Sequence, residues 1–245
     1  MGSERLGVRS IGVNLAGDRV AGISGDGGAV LVAPVDGEGG ATEVASGARN
    51  LLPPAWDFDD RIWLADRSRG RAVISYVVGD RPPRAIEVPG VTGRDIRHLL
   101  VSRDGSRLVA VVRTPKGDRV VASRILHNVE GAVLRATRAV VLDFEPDAAN
   151  PVIRDIGWRS PTSVSVLTGA EDLSQVETIS VDGSPGELVL EGPSRLRGGP
   201  GELVSSPVEG AEVFALARKA VSDLMAPERP MGPPPEGISS LTYVG

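Results

Sequence analysis

Two copies of one charged tripeptide are the residues of this chain that most suggest a function. Arg94-Asp95-Ile96 and Arg154-Asp155-Ile156 each stand just ahead of an apolar stretch. One interpretation is a charged rim on a binding face. The alternative is a self-paired Arg–Asp brace, which contributes little stability when it is exposed. We predict that Arg94, Asp95, Arg154 and Asp155 bind a partner.

The other reactive side chains do not form a catalytic or metal-binding pattern. The sequence has two histidines, His98 and His127, and no cysteine. A zinc site needs three or four such ligands together. The acidic run Asp57-Phe-Asp-Asp60 lacks the glycine of a calcium loop, so it is typical of a turn in which Asp caps its own backbone. Phosphate-binding and nucleophile-elbow motifs are absent. We predict no catalytic residue, no metal and no cofactor.

Charge and hydropathy narrow the class of partner. The formal net charge is −5, and no basic cluster is long enough to bind nucleic acid. No apolar stretch approaches the roughly 18 residues of a membrane span, and no signal peptide opens the chain. Met1-Gly-Ser is typical of an excised domain, so we expect any leader or anchor to lie outside this sequence. The isolated domain is expected to be a monomer.

A recurring strand–turn–strand unit predicts the fold that positions these residues. Its clearest copy runs from His98 to Val112 around the turn Arg103-Asp-Gly-Ser106. An apolar residue precedes the turn in each of five copies, and the copies are roughly 45 residues apart, as in propeller blades. These anchor residues are Leu15, Trp56, Val101, Trp158 and Val204.

The repeat predicts an all-β fold, a β-propeller of five four-stranded antiparallel blades in one domain. An antiparallel β-sandwich is the alternative, because its strands are also short and evenly spaced. Trp56 and Trp158 are expected to be buried between blades. The last unit is irregular, and either Leu6–Val8 or Leu241–Val244 would complete the terminal blade. The predicted blades are 6–47, 48–92, 93–148, 149–193 and 194–245.

Three segments resemble a known family. They are Leu99-Leu-Val-Ser-Arg-Asp-Gly-Ser-Arg-Leu-Val-Ala-Val111, Leu52-Pro-Pro-Ala-Trp56 and the tail Gly237-Ile-Ser-Ser-Leu-Thr-Tyr-Val-Gly245. They are similar to the C-terminal β-propeller domain of the actinobacterial LpqB lipoproteins. In that family the propeller follows a signal peptide, a lipidated cysteine and a GerMN-type domain. The resemblance implies a location outside the cytoplasm and action with the sensor kinase MtrB and its response regulator MtrA. It implies no catalytic residues.

Two functions are therefore in competition. The first is a non-enzymatic module that binds the extracytoplasmic domain of a membrane sensor kinase and modulates signalling. It would touch the membrane only through an N-terminal lipid of the full-length protein. The second is a propeller enzyme or ligand-binding domain that acts on cell-wall glycan or peptide. The second would need carboxylates or arginines that converge on the central channel.

Overall fold

The structure is a computed structural model of the 245-residue chain. It describes residues 8–48, 50–68, 70–142, 144, 152–170, 173–181, 187–191, 195–199, 202–206, 214–216, 229–230 and 241–242. Within these ranges, side chains are described from residue 11 to 168 and from 176 to 181. Every regular element of the described part is a β-strand.

The strands form five sheets that follow one another along the chain, and neighbouring strands within a sheet are antiparallel except at one edge of the first. The first contains β1 (Val8–Val13), β2 (Arg19–Ser24), β3 (Ala29–Pro34) and β4 (Thr42–Ser46). The second contains β5 (Ala55–Trp56), β6 (Arg61–Asp66), β7 (Val73–Val78) and β8 (Arg84–Ile86). The third contains β9 (Ile96–Val101), β10 (Arg107–Thr114), β11 (Gly117–His127), β12 (Val133–Ala136) and β13 (Val140–Val141). The fourth contains β14 (Ile153–Ser160), β15 (Ser163–Ala170), β16 (Leu173–Ser180) and β17 (Glu187–Glu191).

The fifth sheet is the shortest. It contains β18 (Arg195–Gly199), β19 (Glu202–Ser206), β20 (Phe214–Leu216) and β21 (Arg229–Pro230). The predicted all-β propeller is confirmed, but the prediction of five four-stranded blades is wrong: the propeller arrangement has four blades, and the fifth sheet is shorter. Four blades are joined by described hydrophobic clusters, and the fifth sheet ends in strands of three and two residues. Proline cannot donate a ladder hydrogen bond, which limits strand length near Pro230.

The end of the chain closes the ring. The last strand, β22 (Leu241–Thr242), pairs in parallel with β1, where Ile11 faces Leu241 and Gly12 faces Thr242. The inner strands then neighbour one another in the order β1, β5, β9, β14, β18 and β22. The C-terminal alternative for closure is therefore the one observed. Leu6 lies outside the described residues.

Two tryptophans join neighbouring blades, as predicted. Trp56 at the end of β5 is 3% exposed, and its Nε1 donates to the carbonyl oxygen of Gly12 in the first blade at 2.9 Å. Trp158 in β14 is 9% exposed and donates in the same way to the carbonyl of Val101 in the third blade at 3.0 Å. Each ring therefore seals a boundary between blades, where its hydrogen bond also fixes the register of two inner strands.

A buried polar residue follows the inner strand in each of the first three blades. These residues are Asn14, Asp57 and Ser102, which are at most 3% exposed. A side-chain oxygen of each accepts backbone N–H groups of the following turn. Such side chains satisfy buried donors that the ladder leaves unpaired. The structural equivalent of Trp56 in the first blade is therefore Val13, and the predicted anchor Leu15 lies in the turn.

The Asp-Gly turn of the clearest repeat is stabilised by its own side chains. The Asp104 carboxylate accepts hydrogen bonds from the Ser102 hydroxyl at 2.5 Å and from the Ser106 hydroxyl at 2.7 Å. Burial alone would raise the pKa of Asp104, but these hydrogen bonds and the nearby Arg107 charge lower it. Gly105 takes a φ of 64°, a conformation that glycine adopts without strain.

Successive turns alternate between two ends of the blades. We call one end the upper face, which comprises residues 25–28, 66–68, 70–72, 87–95 and 115–116. We call the other the lower face, which comprises residues 14–18, 35–41, 57–60, 79–83, 102–106 and 128–132. The inner strands β9 and β14 both begin at the upper face.

Candidate functional site

The structure places the first predicted pair, Arg94 and Asp95, on the upper face immediately before β9. Both residues are exposed. The backbone holds them firmly, because the Arg94 carbonyl accepts from Ala72 N at 2.8 Å and the Asp95 carbonyl accepts from Arg113 N at 2.8 Å. The pair therefore stands on a rigid connection between the second and third blades.

The second predicted pair, Arg154 and Asp155, occupies a different position. Both residues lie inside β14 and are half-buried, because β14 begins at Ile153. The Ile153 N–H donates to the buried Asp118 carboxylate at 3.0 Å, which attaches this strand to the third blade. Asp155 faces His98 of β9, with 3.7 Å between Oδ1 and Nδ1. The identical tripeptides are thus not equivalent in the fold.

The true equivalent of Arg154 in the third blade is Arg97. In β9 the pairing passes from His98–Val111 to Ile96–Val112, so that Arg97 is an extra residue in the ladder. In β14 the pairing passes from Asp155–Leu167 to Ile153–Thr168, so that Arg154 is extra. Both arginines sit at a β-bulge near the start of an inner strand. Bulges occur beside functional sites because they redirect a side chain.

The first blade repeats this arrangement in its backbone. The register of β1 shifts between Val8 and Ile11, across Arg9 and Ser10. Arg9 precedes Val13 by the same distance along the chain as Arg97 precedes Val101 and Arg154 precedes Trp158. An arginine at the bulge of the inner strand is therefore a repeated feature of three blades.

The second blade brings an arginine to the same region from another element. Arg67 follows β6, and its Nη1 donates to the carbonyl of Ile96 at the start of β9 at 3.0 Å. Its Nη2 donates to Asn50 Oδ1, also at 3.0 Å. The Nε atoms of Arg67 and Arg97 are both buried without a hydrogen-bond partner among the described residues. Buried donors of this kind are costly unless a ligand or water satisfies them.

The charges of these arginines act on one another. Burial lowers the pKa of Arg67, Asp95 raises it, and the positive charge of Arg97 lowers it further, with a net decrease. Arg67 and Arg97 therefore concentrate positive charge at one place on a protein whose net charge is −5. We call Arg67, Arg97 and Arg154 the arginine cluster. Sequence reasoning missed Arg67 and Arg97.

The lower face is held together by internal contacts. The buried Asp57 carboxylate accepts from Trp63 Nε1 at 2.9 Å and from Arg61 Nη1 at 3.2 Å. Arg61 also bonds to Asp59 and to the carbonyl of Gly131 in the third blade. The interpretation of Asp57–Asp60 as a self-capped turn is confirmed, and the turn additionally braces two blades.

Neither described histidine stands in a metal-binding group. The two ring nitrogens of His127 face the carbonyl oxygens of Gly131 and Gly105 at 3.0 and 2.9 Å. His98 faces Asp155. In the part of the chain that the structure describes, no three His, Cys, Asp or Glu side chains come together as a metal site.

Comparison with known proteins identifies the family. Residues 1–197 match the family described as the lipoprotein LpqB beta-propeller domain. The chain belongs to this family. The lipoprotein LpqB of Thermobifida fusca is 26% identical to it over 222 residues, which cover 75% of this chain and 34% of that protein. The lipoprotein LpqB of Streptomyces coelicolor is 26% identical over 214 residues, which cover 81% of this chain and 33% of that protein. The chain thus spans about a third of the length of these LpqB relatives.

Solved structures support the propeller fold alone. TolB from Acinetobacter baumannii superimposes with a TM-score of 0.59 at 13% identity, covering 87% of this chain and 52% of that one. A puromycin-hydrolysing peptidase of Mycobacterium tuberculosis gives a TM-score of 0.54 at 13% identity, covering 80% of this chain and 35% of that one. At such identity, a shared fold does not transfer an activity.

The described residues form no helix with the length and apolar character that a membrane crossing requires.

Proposed function

We propose that this LpqB-type propeller is a non-enzymatic binding module outside the cytoplasm, which engages the extracytoplasmic domain of a membrane sensor kinase. In the full-length lipoprotein, an N-terminal lipid would hold the module at the membrane. Binding would modulate two-component signalling of the MtrAB type. Family membership supports the lipoprotein part of this proposal, and the kinase is the partner that the family resemblance suggests.

The upper face is the observation that carries the proposal. It presents Arg94 and Asp95, both exposed, on a connection whose backbone is fixed by hydrogen bonds to neighbouring strands. Rigid scaffolds with functional loops at their ends are typical binding modules. The lower face also exposes charged side chains, such as Arg81, while its Asp57 is buried and pairs with Arg61. We propose the upper face as the interface because it carries the Arg–Asp pair on a fixed connection between blades.

The described side chains favour binding over catalysis. His127 is committed to two backbone carbonyls, and Asp57 is committed to Arg61 and Trp63. A general base needs a ring nitrogen or carboxylate oxygen within reach of a substrate proton. These two groups face the interior of the protein. We accordingly propose that the domain acts through its surface.

We expect the interface to be polar and of modest affinity. Aromatic residues supply most interface hot spots, and the sequence is only 3% aromatic. A dissociation constant on the order of micromolar follows from a charged rim without such anchors. Tethering of both proteins to one membrane raises their effective concentration, which makes this affinity sufficient.

The charge-reversed variant Arg94→Glu/Arg154→Glu tests the proposal. We expect it to bind the purified extracytoplasmic domain of the kinase about tenfold more weakly than wild type at low salt, because opposite charges steer and hold polar interfaces. High salt should narrow this difference, because the screening length falls from about 10 Å at 0.1 M to about 3 Å at 1 M. Calorimetry or surface plasmon resonance gives the affinities.

The matched control reverses the charge of two exposed arginines at the other end of the blades. Arg81 lies on the lower face and Arg19 directly follows its turn 14–18, and Arg19→Glu/Arg81→Glu makes the same change in net charge. This control should bind within about twofold of wild type. Wild-type affinity of Arg94→Glu/Arg154→Glu at low salt would show that the upper face is not the interface.

A further inference from the structure

We propose that the arginine cluster at the start of the inner strands is a binding site for an acidic peptide segment, whose carboxylates pair with Arg67, Arg97 and Arg154. The inference deepens the proposed function, and it rests on that function only in assigning the segment to a protein partner. The site itself is argued from the register, burial and charge of the described residues.

Register is the first argument. A bulge adds one residue to an inner strand at Arg97 and again at Arg154, at equivalent positions of neighbouring blades. A bulge interrupts the ladder and redirects a side chain, and here it recurs at the same place in neighbouring blades. In both strands the extra residue is arginine, the side chain best suited to bidentate carboxylate recognition.

Burial is the second argument. The Nε atoms of Arg67 and Arg97 are shielded from solvent and lack a hydrogen-bond partner among the described residues. The Arg67 guanidinium is held in place by the Ile96 carbonyl and by Asn50, so it is oriented before any ligand arrives. A pre-oriented donor loses little conformational entropy on binding, which favours affinity.

Charge is the third argument. Burial has the largest effect on Arg67 and lowers its pKa; the Asp95 carboxylate raises it, and the like charge of Arg97 lowers it by a smaller amount. His98 and Asp155 directly follow the two bulge arginines in the chain, and their side chains face each other. A further carboxylate supplied by a ligand would relieve the repulsion between the arginines. The site thus selects for acidic groups.

Proximity is the fourth argument. The 3.7 Å contact between His98 and Asp155 brings the starts of β9 and β14 together, and each of these residues directly follows a bulge arginine. Arg67 reaches the start of β9 through its bond to Ile96. The three arginines therefore come from three consecutive blades and lie near the starts of the neighbouring strands β9 and β14. A short extended segment with neighbouring carboxylates is the ligand that this spacing suits.

The test measures binding of fluorescently labelled hexaglutamate to the whole chain by anisotropy at low salt. We expect saturable binding, and we expect the variant Arg97→Gln/Arg154→Gln to bind about tenfold or more weakly, because charged hydrogen bonds are lost. The control Arg19→Gln/Arg81→Gln loses the same charge from the other end of the blades and should change affinity by less than about twofold. Labelled hexaglutamine, which is neutral, should not bind.

The outcomes that overturn the inference are distinct. Equal weakening by the two double variants would show general electrostatic attraction, and wild-type affinity of Arg97→Gln/Arg154→Gln would exclude the bulge arginines. Binding to phosphatidylglycerol vesicles through these arginines, without binding of hexaglutamate, would replace the peptide with a membrane surface. Hexaglutamate binding with no binding of the kinase domain would support the site and reject the proposed function. Circular dichroism and thermal unfolding confirm that each variant is folded.

Discussion

Replacement of Asp57 by alanine is expected to lower the free energy of unfolding by about 3–5 kcal/mol. The Asp57 side chain is fully buried and pairs with Arg61, whose side chain is 7% exposed. It also accepts from Trp63 Nε1 and from the backbone of its own turn. Alanine would leave a buried guanidinium, an indole N–H and turn amides without their acceptor, and each such loss is costly.

Chemical denaturation of the variant and of wild type measures this effect as a shift in midpoint. Asp59→Ala is the matched control, since Asp59 also pairs with Arg61 but its side chain is 34% exposed. We expect the control to cost about 1 kcal/mol or less. If Asp57→Ala loses no more than Asp59→Ala, the lower face is not braced by the buried carboxylate.

Truncation of Trp56 to alanine is expected to destabilise the protein by about 3–5 kcal/mol, and truncation of Trp158 by a similar amount. Each ring fills a boundary between two blades and donates a hydrogen bond to the preceding inner strand. A cavity at such a boundary collapses poorly, because both blades are rigid sheets. Thermal and denaturant unfolding of the two variants provide the measurement.

Phenylalanine at the same positions separates the two contributions. Trp56→Phe keeps most of the ring but removes the N–H, so the Gly12 carbonyl loses its donor; a loss of about 1–3 kcal/mol follows. Substitution of Gly12 by alanine independently checks how closely these two blades pack. A Cβ at that position would lie 2.9 Å from the Pro54 carbonyl oxygen. Unchanged stability of Trp158→Ala would mean that β14 is assigned in the wrong register.

Local apolar patterns predicted the strands well where turn residues flank them. The turns Ala16-Gly-Asp18, Gly25-Asp-Gly-Gly28 and Asp36-Gly-Glu-Gly-Gly40 predict strands at 19–24 and 29–34, and β2 and β3 have these bounds. Trp56, Val101 and Trp158 anchor their blades as predicted. The apolar stretch Leu134–Phe144 predicts one strand, but the structure has two short strands in this region, β12 and β13, which both pair with β11. A pattern of apolar residues does not encode such a break.

The fifth sheet contains a strand that local apolar patterns do not predict. Its first strand, β18, was not predicted, since Arg195-Leu-Arg-Gly-Gly199 has neither alternation nor β-branched residues. Ladder pairing with β19 forms it nonetheless. The anchor predicted at Val204 therefore lies in the second strand of its sheet and not in the first.

The arginine cluster could be found in the sequence only after the anchors were corrected. A bulge has no residue signature, because it adds one position without changing the apolar pattern on either side. Once Val13 replaces Leu15 as the first anchor, an arginine precedes three anchors at one constant distance, at Arg9, Arg97 and Arg154. The identical tripeptides at 94–96 and 154–156 suggest that Arg94 is equivalent to Arg154. In the structure the equivalent of Arg154 is Arg97.

A basic site on an acidic protein has consequences for association. The net charge of −5 repels acidic partners in general, while the arginine cluster attracts them at one place. Such a distribution orients an encounter complex more than it strengthens the final one. The upper face would therefore select the orientation in which the partner docks, and the polar rim of Arg94 and Asp95 would contribute to specificity.

Hydrogen exchange of this domain, alone and with the extracytoplasmic domain of the sensor kinase, tests the central claim most directly. The account predicts slower exchange on binding in 70–72, 92–98 and 153–155, which belong to the upper face and to the starts of β9 and β14. The lower-face turns at 57–60, 79–83 and 128–132 should exchange as in the free protein. Protection confined to those lower-face turns, or no protection at saturating kinase domain, would contradict the account.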